Sequence, residues 1–271
     1  MRIPLSHLAT LASLLALASW LAPIASAAEP APATPPSPAI NPDGWPVHDP
    51  ARPVPPLATP RPAEALAPAS IPPTGAVILF DGTDLSAWQN PAWLVRDGTF
   101  EVTPKAGNLI TRQSFGSCHL HLEWSAPLPV KGSGQGRGNS GVFLMDRYEI
   151  QILDNHDNPT YADGYVGAVY GQHPPLANAV RPPGEWNTYD IFFHAPLFSA
   201  EGKLREPAAV TVVLNGVVVQ NNAEFYGLST WKKVAVYSAH PPAAPLRLQD
   251  HGDRVRFRNI WVVPTPELPA K

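Results

Sequence analysis

Gly138-Asn139-Ser140-Gly141-Val142-Phe143-Leu144-Met145-Asp146-Arg147-Tyr148-Glu149-Ile150-Gln151-Ile152-Leu153-Asp154 is a glycine-bearing polar turn that feeds two apolar runs, with charged groups planted inside the second. Side chains alternate across a strand, so Glu149 and Gln151 share one face while Tyr148, Ile150 and Ile152 share the other. An acid and an amide then line one sheet surface. Burying a carboxylate costs free energy unless it is paired or used, so this face reads as a binding or catalytic surface. A one-sided antiparallel sheet with a solvated face is the other reading, and this segment by itself leaves both open.

The pattern around this stretch is nearly all β. Strands are expected over 77–80, 93–96, 100–103, 108–111, 119–125, 141–145, 148–153, 167–170, 187–194, 210–214, 217–221, 234–238 and 254–262. Asn215-Gly216 between two valine-rich runs is a strong hairpin signal, and Asp97-Gly98 is a second. Helical periodicity is absent beyond the first residues. Many short strands in about 190 residues predict a large two-sheet jelly-roll sandwich filling 74–265, followed by a short tail over 266–271.

The N-terminus has a different character. Arg2, an apolar run from Leu8 to Leu21 and the Ala25-Ser26-Ala27 cleavage signal predict a secretory signal peptide over 1–27. The apolar run is short for a membrane span and is broken by Ser13 and Ser19. No second stretch approaches that length, so the mature chain is expected to be periplasmic or secreted without a span. Residues 28–73 hold close to half of the chain's 35 prolines, and this composition predicts a disordered linker. The single cysteine, Cys118, excludes an internal disulfide and reads as a small buried hydrophobe. A net charge of −3 with no basic cluster argues against nucleic acid as a partner. Nothing in the residues fixes an oligomeric state.

The opening Ile78-Leu79-Phe80-Asp81-Gly82-Thr83-Asp84-Leu85-Ser86-Ala87-Trp88, the Gly138-Asn139-Ser140-Gly141-Val142 turn, Tyr148-Glu149-Ile150-Gln151-Ile152-Leu153-Asp154, Gly167-Ala168-Val169-Tyr170, Pro183-Gly184-Glu185-Trp186-Asn187 and Leu214-Asn215-Gly216 recur in a fixed order. Leu248-Gln249-Asp250-His251-Gly252 and Val255-Arg256-Phe257-Arg258-Asn259-Ile260 complete the series. Together these motifs resemble the 3-keto-disaccharide hydrolase domain family across nearly the whole domain. The resemblance implies a concanavalin A-like lectin/glucanase jelly roll. It also implies a carbohydrate substrate, a 3-keto-glycoside already oxidised at C3 by a partner dehydrogenase.

The chemistry of such a substrate bears on the residues. Ordinary glycosidases place two carboxylates about 5 to 10 Å apart. Here Glu149 is followed on its own face by Gln151 and Leu153, and Asp154 has the opposite parity. A ketone at C3 acidifies the C2 proton, so one base and a group that stabilises the enolate can expel the C1 substituent, with water adding afterwards. Glu149 and His251 are the expected catalytic pair, His251 because imidazole titrates near neutrality. Substrate contacts are expected from Arg137, Asn139, Gln151 and Asp154 around the glycine-rich loop, which is read as a mobile rim. Further contacts are expected from Tyr170, His173, Gln249 and Arg258. A divalent metal ion held by Glu149, Asp154 and His251 is a further option, although no tight ligand motif is present. His119 and His121 alternate on a strand face that reads as solvated. A non-catalytic carbohydrate-binding module and an envelope structural domain are the competing functions, since a jelly roll does not fix function. Trp88, Trp93, Trp124, Trp186, Trp231 and Trp261 are its candidate stacking platforms, or else core.

Overall fold

The computed structural model describes residues 39–89 and 92–265. The expected signal peptide, the first part of the proline-rich block and the tail lie outside the described residues. In chain order the strands are β1 (Val77–Phe80), β2 (Trp88–Gln89), β3 (Leu94–Arg96), β4 (Thr99–Glu101), β5 (Leu109–Phe115), β6 (Cys118–Ser125), β7 (Ser140–Leu144), β8 (Tyr148–Ile152), β9 (Asn187–His194), β10 (Leu197–Phe198), β11 (Leu204–Glu206), β12 (Ala209–Leu214), β13 (Val217–Glu224), β14 (Ala244–Leu248) and β15 (Arg256–Pro264). An eight-stranded sheet runs β13-β12-β9-β6-β15-β4-β3 with β1 added on β15, and a five-stranded sheet runs β2-β5-β14-β7-β8. The two sheets make the expected all-β jelly-roll sandwich of concanavalin A-like type.

Strand parity builds the core between the sheets. On β8, Tyr148, Ile150 and Ile152 turn inward with Val142 and Leu144 of β7 and Leu246 and Leu248 of β14. They meet Leu120, Leu122 and Trp124 of β6 and Tyr189, Ile191 and Phe193 of β9. The Tyr189 hydroxyl donates to the Gln151 carbonyl at 2.7 Å, a polar tie between the sheets. A second aromatic group closes one end, where Phe100 stacks on Phe257 at 5.4 Å and meets Phe80 edge-on at 4.8 Å. Trp88, Trp93, Trp124 and Trp261 are buried here as core. Cys118 is likewise buried, which pushes its thiol up to about 12. The hairpin signals hold: Asn215 and Gly216 have φ of 51° and 77°, Asp97 and Gly98 51° and 72°, the left-handed pair of a type I′ turn.

Four expectations change. Residues 167–170 are not a strand but a loop laid along the free edge of β8, with Gln151 N donating to Ala168 O and Tyr170 N to Glu149 O. That loop covers the otherwise unpaired edge. Residues 234–238 pair with no strand, and their place in the small sheet is taken by β14, whose Pro245 masks the strand pattern. The proline-rich block, from residue 39 onward, is a docked strap rather than a disordered linker. Asn41 Nδ2 donates to Gly171 O, Arg52 Nη1 to Gln172 O, Ala58 N to Asn178 O and Arg61 N to Asn215 O. Prolines fix φ and remove donors, so such a segment is ordered by scattered bonds to another surface rather than by a core of its own. The strap ends in a single helical turn, Ala63–Leu66, and a 3-10 turn to Ser70, whose carbonyl accepts from Asn259 Nδ2 at 2.8 Å.

The fourth change is at His121. It lies on the outer face of β6, yet it is 1 % exposed, stacked on Trp261 at 4.9 Å and bonded through Nδ1 to Asp190 at 2.9 Å. His119 shares that carboxylate at 3.0 Å.

Candidate functional site

The outer face of the five-stranded sheet floors a cleft of about 610 Å³. Register sets its rows. Arg247 of β14 pairs with Phe143 of β7, which pairs with Glu149 of β8. One step on, Gly141 pairs with Gln151, and Gln249 N donates to Gly141 O. The parity read from the sequence therefore delivers the acid and the amide to one surface.

Glu149 is 5 % exposed, and among the described residues its carboxyl makes no hydrogen bond. Burial pushes its pKa up to about 8, with the Arg247 charge pulling weakly the other way. Arg247 is engaged elsewhere, with its Nε on Asp146 and its guanidinium 3.5 Å over the Phe143 ring. The carboxyl exists in this position because residue 141 has no side chain: a Cβ there would collide with Glu149 Oε1.

The β8 edge loop and its neighbour bring two phenols beside this acid. The hydroxyls of Tyr161 and Tyr170 are hydrogen-bonded at 3.0 Å, and burial raises both pKa values, so both remain protonated. One O–H is used within the pair and the other is left as a donor. Gln151 donates through Nε2 to Gln135 Oε1 at 2.9 Å, while its Oε1 is buried without a partner among the described residues, an acceptor on the cleft floor. Asn139 and Gln249 also line the cleft. His251 stands exposed at the rim. Trp231, 67 % exposed, forms the opposite kind of surface, a flat apolar ring open to solvent.

Of the expected site residues, Glu149, His251, Asn139, Gln151, Tyr170 and Gln249 come together. The other four do not. Arg137 donates to Asp154 at 2.7 Å, a buried strut that leaves neither side chain in the cleft lining. His173 bonds the Glu224 carbonyl and packs on Tyr226, and Arg258 pairs with Glu123 over the Trp186 ring on the other sheet. The imagined trio of Glu149, Asp154 and His251 is therefore not assembled, and no group of three such ligands occurs among the described residues. The glycine-rich loop is not a loose rim: Gly134 N donates to Asn158 Oδ1, and Gln135 Nε2 to Thr160 Oγ1 and Gly164 O. Sequence reasoning missed Tyr161, Gln135 and Ser229, which lie in turns with no motif; Ser229 Oγ accepts from Glu149 N at 2.9 Å.

A jelly roll with a sugar-sized cleft across one sheet, aromatic and amide side chains around one carboxyl, places the chain among glycosidase-like β-sandwiches. It belongs to the 3-keto-alpha-glucoside-1,2-lyase-like domain family, whose sequence pattern matches residues 75–263. A 3-keto-disaccharide hydrolase of Bacteroides thetaiotaomicron is 24% identical over 253 residues, covering 69% of this chain and 78% of that protein. A solved structure from Parabacteroides distasonis, described as a glycosyl hydrolase, is 42% identical with a TM-score of 0.70, covering 79% of this chain and 93% of the other. A second structure of the same description and organism, 20% identical with a TM-score of 0.50 and covering 76% and 98%, shares the fold.

Proposed function

We propose that this protein cleaves the glycosidic bond of 3-keto-glycosides by elimination across C1 and C2, followed by hydration. The observation that carries this reading is the lone carboxylate. Among the described residues lining the cleft, Glu149 is the only acid, whereas retaining and inverting glycosidases need two. A 3-keto sugar needs only one base. Glu149 takes the C2 proton, and the electrons of that bond form an enolate whose oxygen receives the free donor of the Tyr161–Tyr170 pair. The enolate then collapses back to the ketone, C1=C2 forms, and the C1–O bond breaks. His251 gives the departing oxygen its proton. Water adds at C1 and the proton returns to C2, so the net change is hydrolysis. A base with a pKa near the working pH is the most effective, and burial supplies that tuning.

Trp231 at the rim is suited to stacking on the second sugar or aglycone. The leader-like residues 1–27 support action outside the cytoplasm. The alternative, a binding module, draws on the same ring. Turnover of a 3-keto-glucoside, compared with its unoxidised parent, separates the two. We expect turnover of the keto sugar alone, with Glu149→Gln lowering it by about 10²-fold or more. Near-parental turnover in a folded Glu149→Gln protein would remove Glu149 from the mechanism, and binding of both sugars without turnover would favour the module.

A further inference from the structure

His48 lies in the strap, outside the segment matched by the family, yet it packs behind the tyrosine pair. Its ring is 4.1 Å from that of Tyr161 and 5.1 Å from that of Tyr170, centroid to centroid. Its Nδ1 faces Asp163 Oδ1 at 3.2 Å and its backbone N donates to Asp163 Oδ2 at 3.0 Å, so both carboxylate oxygens of a fully buried aspartate hold one residue. The backbone of His48 is left-handed, with φ of 61°, a conformation uncommon outside glycine. Asn41 and Arg52, on either side of it, bond the carbonyls of Gly171 and Gln172, directly after Tyr170.

A strap that merely covered this surface would do so at lower cost with an apolar ring, because a buried imidazole and carboxylate must both be desolvated. Strained, doubly held residues of this kind cluster where geometry matters to function. The other ring nitrogen, Nε2, is buried without a partner among the described residues. We propose that His48 is a positioning residue of the cleft, and that the strap completes the active site by clamping the Tyr161–Tyr170 donor pair against Glu149. This deepens the elimination reading and rests on it for the role of the phenols.

His48→Asn tests the assignment. Asparagine tolerates the left-handed backbone and carries an amide donor for Asp163, so the fold is retained while the ring is lost. His48→Phe is the complement, keeping a ring on the phenols and deleting the donor. Two readouts are needed: kcat and KM on a 3-keto-glucoside, and amide hydrogen exchange over residues 161–171, which needs no substrate. We expect His48→Asn to melt near the parent, to lose kcat by about tenfold or more with KM little changed, and to exchange faster over 161–171. His48→Phe should retain the slow exchange better and, with the ring still against the phenols, more of kcat than His48→Asn. Parental kcat and parental exchange in His48→Asn would overturn the proposal. A parent protein that does not turn over the keto sugar would overturn the substrate reading instead, and unchanged exchange would then still decide against His48.

Discussion

At the scale of the residue, the cleft depends on one carboxyl kept from water and one missing side chain. On the elimination reading Glu149 acts as a base only when deprotonated, and its pKa stands at about 8, so kcat/KM on a nitrophenyl 3-keto-glucoside, whose leaving group departs without a proton from His251, should climb with pH to a plateau above about 8. A pH–rate profile that is flat from 6 to 9 would contradict this. The same shift acts on stability with the opposite sign. Unfolded, the carboxyl titrates near 4.5; folded, it holds its proton to about 8, so stability falls as pH rises through that window. Glu149→Gln should therefore melt higher than the parent above pH 8, and differential scanning at pH 5 and pH 9 measures the gap. Gly141→Ala puts a methyl where Glu149 Oε1 lies, in a backbone region any residue adopts. Its expected effect is a loss of turnover of about tenfold or more from a displaced base, read from steady-state kinetics, with a smaller change in melting temperature.

At the scale of the element, strand β6 carries the pH dependence of the large sheet. Burial opposes the charge on His121, but its hydrogen bond to Asp190 and the Glu123 carboxylate 3.9 Å away outweigh this and lift its pKa above the ordinary 6.5. Burial likewise opposes ionisation of Asp190 and Glu123, yet the histidines on one and His121, Asn259 and Arg258 on the other hold both at about 2. The imidazolium contribution is complete below 6.5 and is lost as pH rises through the folded pKa of His121, while the carboxylate contribution is complete above about 4.5 and is lost as pH falls toward 2. This cluster should thus give its greatest stability between about pH 4.5 and 6.5, and a His121→Gln variant should lose the alkaline limb of the melting curve. The elements also show what the residues could reveal. Tyr148 to Ile152 was legible because parity alone fixes which side chains meet the core, and Asn215-Gly216 because its turn demands left-handed residues. Ala244–Leu248 was hidden by Pro245, and Tyr161 by its place in a turn, where no period marks a side chain. Arg137 and Asp154 looked like ligands because sequence spacing shows charge but not pairing; across the loop they neutralise each other.

At the scale of the whole molecule, the strap ties the cleft to both sheets, meeting the tyrosine loop through His48 and the last strand through Ser70. Deleting residues 39–73 should lower the melting temperature by about 5 °C or more and should reduce turnover further than heat sensitivity alone explains. A truncated protein with the parental melting temperature and kcat would show the strap to be dispensable. The partners of this strap have a temporal meaning as well. Its hydrogen bonds reach forward by 115 residues at Asp163 and by 189 at Asn259. The strap thus finds its seat only once residues 163–172 and, for Ser70, the last strand are in place, and closure over such distances is slow. The strap is therefore expected to dock late, with protection of residues 161–171 in pulse-labelled hydrogen exchange trailing that of the strands, so that a chain still emerging or incompletely folded carries an unfinished cleft.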